Sequence, residues 1–522
     1  MAVSTRIAAE PGPLLLRAWI ARAAGRHPDK PYIVAVDQDK TLTYGALAGL
    51  TGRIAAYLRE RGVEVDQRIT LLANNSIEHL ACYLGVMAYG ATICTVHVEM
   101  NRRHLDHILP ALRPRLIAYQ AGLALDDLIA EAGAPRLPLG AWDAPEAGSF
   151  YAAVAASRPG AADFTAAGPG NDGCILFTSG TSDRPKGVVL SYRELLANAE
   201  PTADGFGMTA DDRIYDFRSY NWCSAQVLSA LAPLAKGATL IMAERFSRSR
   251  FFAHIRAHGA TIAAGNPTTV NMLLGGPEAV GAADVPTLRF VISSSAPLLP
   301  EEWRRFEARF GIKIAQGYGT SETGWIAASP GESRRFGAAG RPLPYLDVAV
   351  VDGEGRRLPA GETGAVELGG FAGNAYRYLG EDGAAKVASR GRTRTGDLWF
   401  IDAEGFLHLT GREKELIIRG GVNISPLEID GVLLGHAEVL EAATVGVPDP
   451  TYGEEVVSYV VLRPGAGAAA ADLLRHCRAA LPAFKAPKRI VLRDALPKTE
   501  RGKLDRKALV AAWTSSGEKI GA

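Results

Sequence analysis

The stretch Thr178-Ser179-Gly180-Thr181-Ser182-Asp183-Arg184-Pro185-Lys186-Gly187-Val188 gathers small hydroxyl residues, glycines and two cations in one place. Backbone N–H groups, hydroxyls and positive charge together suit a polyphosphate, because each anionic oxygen needs a donor once water is removed. The apolar run Cys174-Ile175-Leu176-Phe177 ahead of it reads as a buried strand, and a helix-like segment starts at Tyr192. Lys186 is followed by glycine rather than Ser or Thr, so the loop is not a Walker A sequence. A polar surface turn with a basic tip is the plain alternative.

Four further segments carry groups of the right kind. Gln316-Gly317-Tyr318-Gly319-Thr320-Ser321-Glu322-Thr323 places glycines around an aromatic, then hydroxyls and a carboxylate. Glycines admit a flat ligand close to the backbone, Tyr318 can stack on a base, and Glu322 can hold a hard cation through oxygen. The alternative is a glycine-rich turn with a core tyrosine. In Thr395-Gly396-Asp397 the carboxylate is either a turn residue or an acceptor for both hydroxyls of a ribose. The run from Gly411 to Gly421 combines glycines with dense charge and reads as a hinge or a solvated linker. Pro497-Lys498-Thr499-Glu500-Arg501-Gly502-Lys503-Leu504 is a basic segment near the C-terminus.

The elements that must position these groups are legible from periodicity. Helical patterns alternate with short β-branched runs such as Arg68–Leu72, Ala238–Met242 and Leu288–Ser293, which predicts α/β layers with largely parallel sheets. Between about Gly337 and Gly411, short alternating strands separated by Asp-Gly and Gly-Glu turns predict an antiparallel, barrel-like insertion. After Gly411 an α+β pattern begins, with strands expected at Ala442–Val447 and Val456–Val461.

Composition sets the outer bounds. A chain of 522 residues implies two or more domains. A net charge of +1 argues against general affinity for nucleic acid or anionic membranes. Five cysteines with no CxxC pair suit reduced thiols and a cytoplasmic location. No signal peptide is evident, since Arg17 interrupts Leu14-Leu15-Leu16. The uncharged run Leu80–Val98 reads as a buried helix followed by a buried strand, because Gly85, Gly90, Thr92, Thr95 and His97 break it. His254 and His258 share a helix face without a third ligand, and no G-x-S-x-G elbow is present.

Taken together, in this order and spacing, the five segments identify the chain as a member of the adenylate-forming superfamily, which holds acyl-CoA synthetases, peptide-synthetase adenylation domains and beetle luciferases. The resemblance runs from about Leu14 to Leu509 and includes Gly421-Val422-Asn423-Ile424-Ser425-Pro426-Leu427-Glu428-Ile429 and Val445-Gly446-Val447-Pro448-Asp449. It implies an α/β fold with a large N-terminal domain, residues 1–411, of two doubly wound α/β subdomains and a distorted β-barrel. A small mobile α+β domain, residues 412–522, would carry the catalytic lysine. It also implies ATP, Mg²⁺ and coenzyme A as reagents, acylation of AMP in a first step and thioester formation in a second.

The roles carried over are as follows. Thr178, Ser179, Gly180, Thr181, Ser182 and Lys186 would hold the β- and γ-phosphates, and Ser321 would donate to phosphate. Glu322 would bind Mg²⁺. Ser295, Ala296, Gly317, Tyr318 and Gly319 would bind ATP and AMP, with Tyr318 flanking the adenine, and Asp397 with Arg412 would bind the ribose side. Lys503 would bridge the acyl carboxylate and the α-phosphate, a task suited to a compact ammonium. Lys414 would be the hinge, and Gly420 and Gly421 would line the pantetheine tunnel. The segment Leu416–Ile424 is closer to acyl-CoA synthetases than to peptide-synthetase domains, which favours coenzyme A over an acyl carrier protein as acceptor. An inert acyl-nucleotide sensor on the same fold is the non-enzymatic alternative, opposed by Lys503, Glu322 and Asp397.

Departures from the pattern concentrate near the acid. Asp183 replaces a common glycine, Trp222 stands where histidine is frequent, Ser294 replaces a glycine, and Arg392 a tryptophan. Ser224 stands where amino-acid activators carry an aspartate, so a non-amino acid is expected. Arg218, Asn221, Trp222, Gln226, Asn266, Thr268 and Ser294 form the expected acyl pocket, suited to an oxygenated, aromatic or dicarboxylic acid. Arg218 is either a partner for a second carboxylate or a surface arginine.

Overall fold

The structure, a computed structural model, describes residues 15–160, 163–178, 185–329, 333–369, 375–499 and 504–516, without the side chains of residues 375, 376 and 390. Ser179, Gly180, Thr181, Ser182, Asp183, Arg184 and Lys503 lie outside the described residues.

Three sheets organise the chain. In the first, an eight-stranded sheet, Asp172–Thr178, Thr92–Thr95, Arg68–Leu72, Leu116–Tyr119 and Arg136–Pro138 run parallel. These are the short β-branched runs that sequence periodicity marks as fully buried strands. The helix Ile77–Tyr89 packs beneath them with all its residues buried, capped by the Ser76 side chain and closed by Gly90 in left-handed geometry. At about 1.5 Å per residue it is far shorter than the roughly 30 Å of a bilayer core. The uncharged run is therefore buried helix and strand, as expected. Among the described residues, no helix is long and apolar enough to cross a membrane.

The second sheet has thirteen strands. Its parallel part orders Pro31–Ala35, Thr239–Met242, Arg213–Asp216, Ile262–Gly265, Phe290–Ser293 and Lys313–Thr320 side by side. Strands expected between Gly337 and Gly411 are present and antiparallel, and the two larger sheets share them. Five extend the thirteen-stranded sheet beyond Gly324–Ala328, whereas Ala375–Leu379 and Ala385–Arg390 continue the eight-stranded sheet next to Lys186–Ser191. Asp347–Val351 and Ala385–Arg390 form outer edges of the two sheets, and the other strands of the region are paired on both sides.

The third sheet has five strands: Val422–Ile424, Ile417–Arg419, Gly453–Leu462 and Val439–Asp449 in order, with Arg489–Leu492 parallel to Gly453–Leu462. One apolar cluster joins it to the helices Pro426–Leu434 and Ala470–Ala480, and another to Arg506–Ser516. This α+β unit and the two larger sheets give the mixed α/β architecture, a large N-terminal part and a small C-terminal part, that the sequence implies.

Candidate active site

Ligands of open parallel sheets bind outside the carboxyl ends of the strands, at the point where connections leave in opposite directions. In the thirteen-stranded sheet that point lies between Arg213–Asp216 and Ile262–Gly265, because the intervening strand Thr239–Met242 lies on the far side of Arg213–Asp216. Arg218 and Asn266 follow these two carboxyl ends directly, Ser294 and Ser295 follow Phe290–Ser293, and Tyr318 lies on Lys313–Thr320. In the other large sheet, Thr178 ends Asp172–Thr178 and pairs across to Lys186, so the phosphate-loop candidate joins two antiparallel strands.

One group of residues surrounds Asp397. Its Oδ2 accepts the Tyr318 hydroxyl at 2.5 Å and its Oδ1 accepts Arg412 Nε at 2.7 Å. The Tyr318 ring packs on Trp399 with centroids 4.4 Å apart. Burial, then the Asp397 charge, raise the Tyr318 phenol well above its ordinary value, so it remains a donor. Asp397 is buried while Arg412 is half-exposed. Each carboxylate oxygen carries a second lone pair, which leaves acceptor capacity for vicinal hydroxyls.

A second group links the phosphate loop to Glu322. Tyr378 donates its hydroxyl to Glu322 Oε1 at 2.9 Å, and Lys186 Nζ sits 5.3 Å from the centre of the Tyr378 ring. Burial and the Glu322 carboxylate raise the Tyr378 phenol, which holds it protonated. Ser321 is half-buried in the turn between Lys313–Thr320 and Gly324–Ala328, where the Thr320 and Thr323 hydroxyls lie 3.0 Å apart. Among the described residues no cluster of three or more His, Cys, Asp or Glu could cage a metal. A single carboxylate with oxygen neighbours fits Mg²⁺, which commonly takes one or two carboxylates plus substrate phosphates.

The two glycines flanking Tyr318 are also required by the protein's own packing. A Cβ on Gly317 would meet the Trp325 ring at 2.5 Å, and one on Gly319 would meet the Gly324 carbonyl oxygen at 2.4 Å. Their missing side chains make room for the hairpin itself. Ser295 has φ +70°, a left-handed conformation costly for a side-chain-bearing residue and concentrated at functional sites. Ala296 beside it is half-buried.

The expected acyl wall is buried and paired around Arg218, and half-buried at Trp222, Asn266 and Thr268. Arg218 is only 9% exposed, which removes the surface-arginine reading. Its Nε and Nη2 grip Asp216 at 3.0 and 2.7 Å, and Nη1 donates to Ser294 Oγ at 3.2 Å. Ser229 donates a third hydrogen bond to Asp216 Oδ2 at 2.5 Å. Arg218 is thus charge-balanced, not a free cation. Asn221 donates to the Ala73 carbonyl at 3.1 Å, while its Oδ1 and the Ser293 hydroxyl are buried without a partner among the described residues. Trp222 stacks on His97 with centroids 4.9 Å apart.

Gln226 is fully buried and donates to Thr95 Oγ1 at 3.0 Å and the Tyr220 carbonyl at 2.8 Å, so it braces the wall from behind. It begins a π-helical turn, Gln226–Leu231, inside the run from Cys223 to Lys236. Asn266 caps the helix Pro267–Leu274 by accepting from Thr269 N at 2.8 Å, and Thr268 is half-buried within it.

Lys414 sits exposed in the one-turn helix Glu413–Glu415 between the second and third sheets. Gly420 and Gly421 form the exposed turn of the hairpin between Ile417–Arg419 and Val422–Ile424, with φ of +57° and +83°. Glycine is demanded there by backbone geometry as well as by any need for an open path. Asp216, Tyr378, His97 and Trp399 were absent from the sequence-based site. Asp216 had the nearest signal, an acid at a strand end two residues before Arg218.

The model of the family described as AMP-binding enzyme matches residues 20–379, and that of the AMP-binding enzyme C-terminal domain matches residues 428–503. The chain belongs to the AMP-binding enzyme family. It is 36% identical to a sulfoacetate–CoA ligase of Cupriavidus necator, covering 95% of this chain and 97% of that one. It is 32% identical to an indoleacetate–CoA ligase of Aromatoleum aromaticum, covering 96% and 99%. Its fold matches ATP-bound MatB from Rhodopseudomonas palustris with a TM-score of 0.85 at 27% identity, over 96% of this chain and 100% of that one. With family membership stand the AMP-forming acid–CoA ligase activity read from the motifs and its reagents ATP, Mg²⁺ and coenzyme A.

Proposed function

We propose that this acid–CoA ligase activates a compact, non-amino carboxylic acid whose far end is rich in oxygen. The observation that carries the reading is Arg218, buried and held rigid by Asp216 and Ser294 at the switch point of the sheet. A guanidinium has five N–H groups, and these bonds leave donors on both terminal nitrogens. Because Asp216 balances its charge, Arg218 would select by hydrogen bonding more than by net charge. The unpartnered Asn221 Oδ1 and Ser293 hydroxyl add polarity to the same wall. The sulfoacetate named for one relative has such a far end; the indoleacetate named for another is aromatic and is the counter-case.

In the proposed first step the acyl carboxylate attacks the α-phosphorus of ATP and pyrophosphate leaves. Bringing two anions together makes charge neutralisation and positioning the main demands. Lys186 with the 178–186 loop and Ser321 would hold the phosphates, and Glu322, oriented by Tyr378, would hold Mg²⁺, whose charge offsets that of the phosphates. Tyr318 would flank adenine, Asp397 with Arg412 would fix the ribose, and Lys503 would contact both reacting anions. In the second step the thiol sulfur attacks the acyl carbonyl, AMP leaves, and the thiol proton passes to solvent. Rotation at Lys414, between a 1–411 and a 412–522 domain, would bring Gly420 and Gly421 to the pantetheine. A cytoplasmic setting fits the five free, buried thiols, and coenzyme A is the favoured acceptor over a carrier protein.

The test is pyrophosphate release and product mass over a panel of sulfoacetate, indoleacetate, hexadecanoate and glycine, with free coenzyme A or a carrier protein. The expected result is a CoA thioester with the highest kcat/KM on the oxygen-rich acid. Preference for hexadecanoate or glycine, or thioester on the carrier alone, would contradict it.

A further inference from the structure

Arg506 opens the helix Arg506–Ser516, three residues after Lys503, and its side chain is only 14% exposed. It reaches three partners from separate parts of the chain. Nη2 pairs with Asp430 at 2.7 Å, Nε reaches Glu415 at 3.3 Å, and Nη1 donates to the Thr444 carbonyl at 3.3 Å. Asp430, itself buried, accepts the Thr444 N–H at 2.7 Å, which closes a ring of bonds onto the third sheet.

The chain on either side of the lysine segment is fastened at the same place. The Asp505 N–H donates to the Pro497 carbonyl at 2.9 Å, Lys498 and Leu504 form an antiparallel bridge, and Lys498 pairs with Glu441 at 2.9 Å. Glu415 is the residue immediately after Lys414, at the end of the single turn whose preceding residue, Arg412, holds Asp397. Arg506 therefore ties the far flank of the Lys414 turn to the base from which the lysine segment departs.

We propose that Arg506 is a positioning residue for adenylate formation: by gripping Glu415 and Asp430 together it makes the residue after Lys414 part of the same rigid body as the base of the Lys503 segment. Motion at Lys414 then carries Leu504 and the helix that follows it as one piece with Glu415, and placement errors of about 1 Å at a reacting group are enough to cost on the order of 10²-fold in rate. Thioester formation, which does not use Lys503, is insensitive to this brace. The proposal rests on the reading of Lys503 and Lys414 given above.

The partner to test is Glu415, because it is 38% exposed and its loss leaves the buried Arg506–Asp430 pair intact. A purely structural role for so exposed a bond predicts no change in either step, since such contacts contribute about 0–1 kcal/mol. The experiment measures adenylate formation, thioester formation from supplied acyl adenylate, and urea midpoints for Glu415→Gln, Arg506→Lys, the double variant and Lys503→Ala. Glu415→Gln is expected to lower kcat for adenylate formation at least fivefold, with KM for ATP and acid and the thioester rate within twofold of the parent. Arg506→Lys should act in the same step, and the double variant should be no worse than the poorer single one. Lys503→Ala should lose adenylate formation far more deeply and spare the thioester step. Unchanged adenylation in Glu415→Gln while Lys503→Ala loses it, or equal loss in both steps, would overturn the brace alone. Intact adenylation in Lys503→Ala would overturn the reading of the lysine and the brace with it.

Discussion

The group around Asp397 and Glu322, proposed to hold the nucleotide, and the group around Arg218, proposed to meet the acid, are built in opposite ways. Around Asp397 and Glu322, a buried aspartate sits beside half-buried groups, each bond leaves acceptor capacity, and Arg412 remains half in solvent. Around Arg218, charge is sealed away and satisfied from within, with Asp216 accepting from Arg218 and Ser229. A site for a reagent shared across many acids can be open and generic. A site that must reject most acids has to be rigid before the acid arrives, since ordering it afterwards would consume binding energy. On this contrast, substitutions around Arg218 are expected to act mainly on stability, and those around Asp397 and Glu322 mainly on catalysis.

The largest effect that would break this contrast is on folding. Asp216→Ala strands a buried guanidinium and should cost about 3–5 kcal/mol in chemical denaturation. Asp397→Ala, whose cationic partner is half-exposed, should cost about 1 kcal/mol yet raise the KM for ATP at least tenfold. Equal stability losses at the two aspartates would erase the distinction.

A pH series sharpens it next. His79, at the start of the buried helix beside the Ala73 carbonyl that Asn221 also bonds, has its pKa lowered to about 4 by burial, against backbone hydrogen bonds that raise it. The folded state then binds fewer protons than the unfolded chain, whose histidine titrates near 6.5. This stability is fully present above about pH 6.5 and is lost as pH falls through about 4, by roughly 2–3 kcal/mol at pH 4.5. Urea midpoints of His79→Gln should fall less steeply between pH 7 and 4.5 than those of the parent. Parallel curves would place the acid sensitivity elsewhere.

The smallest effect lies on the nucleotide side. Tyr378→Phe removes the hydrogen bond to Glu322 but keeps the ring against Lys186. One hydrogen bond is worth about 1 kcal/mol, so the Mg²⁺ concentration for half-maximal rate should rise about fivefold with the urea midpoint unchanged. A fall in stability without a change in Mg²⁺ dependence would make Tyr378 part of the scaffold.

Much of the nucleotide side was legible because its groups lie in short contiguous motifs whose composition states their chemistry. Tyr318, Glu322 and Asp397 could each be named from its own segment, and Arg412 from the family resemblance. The bonds joining them could not, since Tyr318 and Asp397 are 79 residues apart and Tyr378 sits in an otherwise unremarkable strand. The strands and the buried helix were legible from apolar periodicity. How the Gly337–Gly411 strands divide between two sheets was not, because edge pairing is a property of the assembled sheets. The acyl wall was the least legible. Its residue types pointed to polarity, but whether Arg218 was free or paired depended on Asp216, Ser229 and Ser294 meeting behind it. Gln226 was named for its polarity, and its bonds to Thr95 and Tyr220 became visible only in the fold. The glycines beside Tyr318 have a packing role that the sequence did not show, since only the fold reveals that a Cβ would strike Trp325 and Gly324.

The central claim is that Arg218 chooses the acid by donating hydrogen bonds to its far end. The direct measurement is the ratio of kcat/KM for sulfoacetate to that for hexanoate, in the parent enzyme and in Arg218→Gln, with the KM for ATP as the internal control. The account predicts a ratio at least tenfold lower in the variant with the ATP value within twofold. An unchanged ratio, at whatever absolute rate, would contradict it.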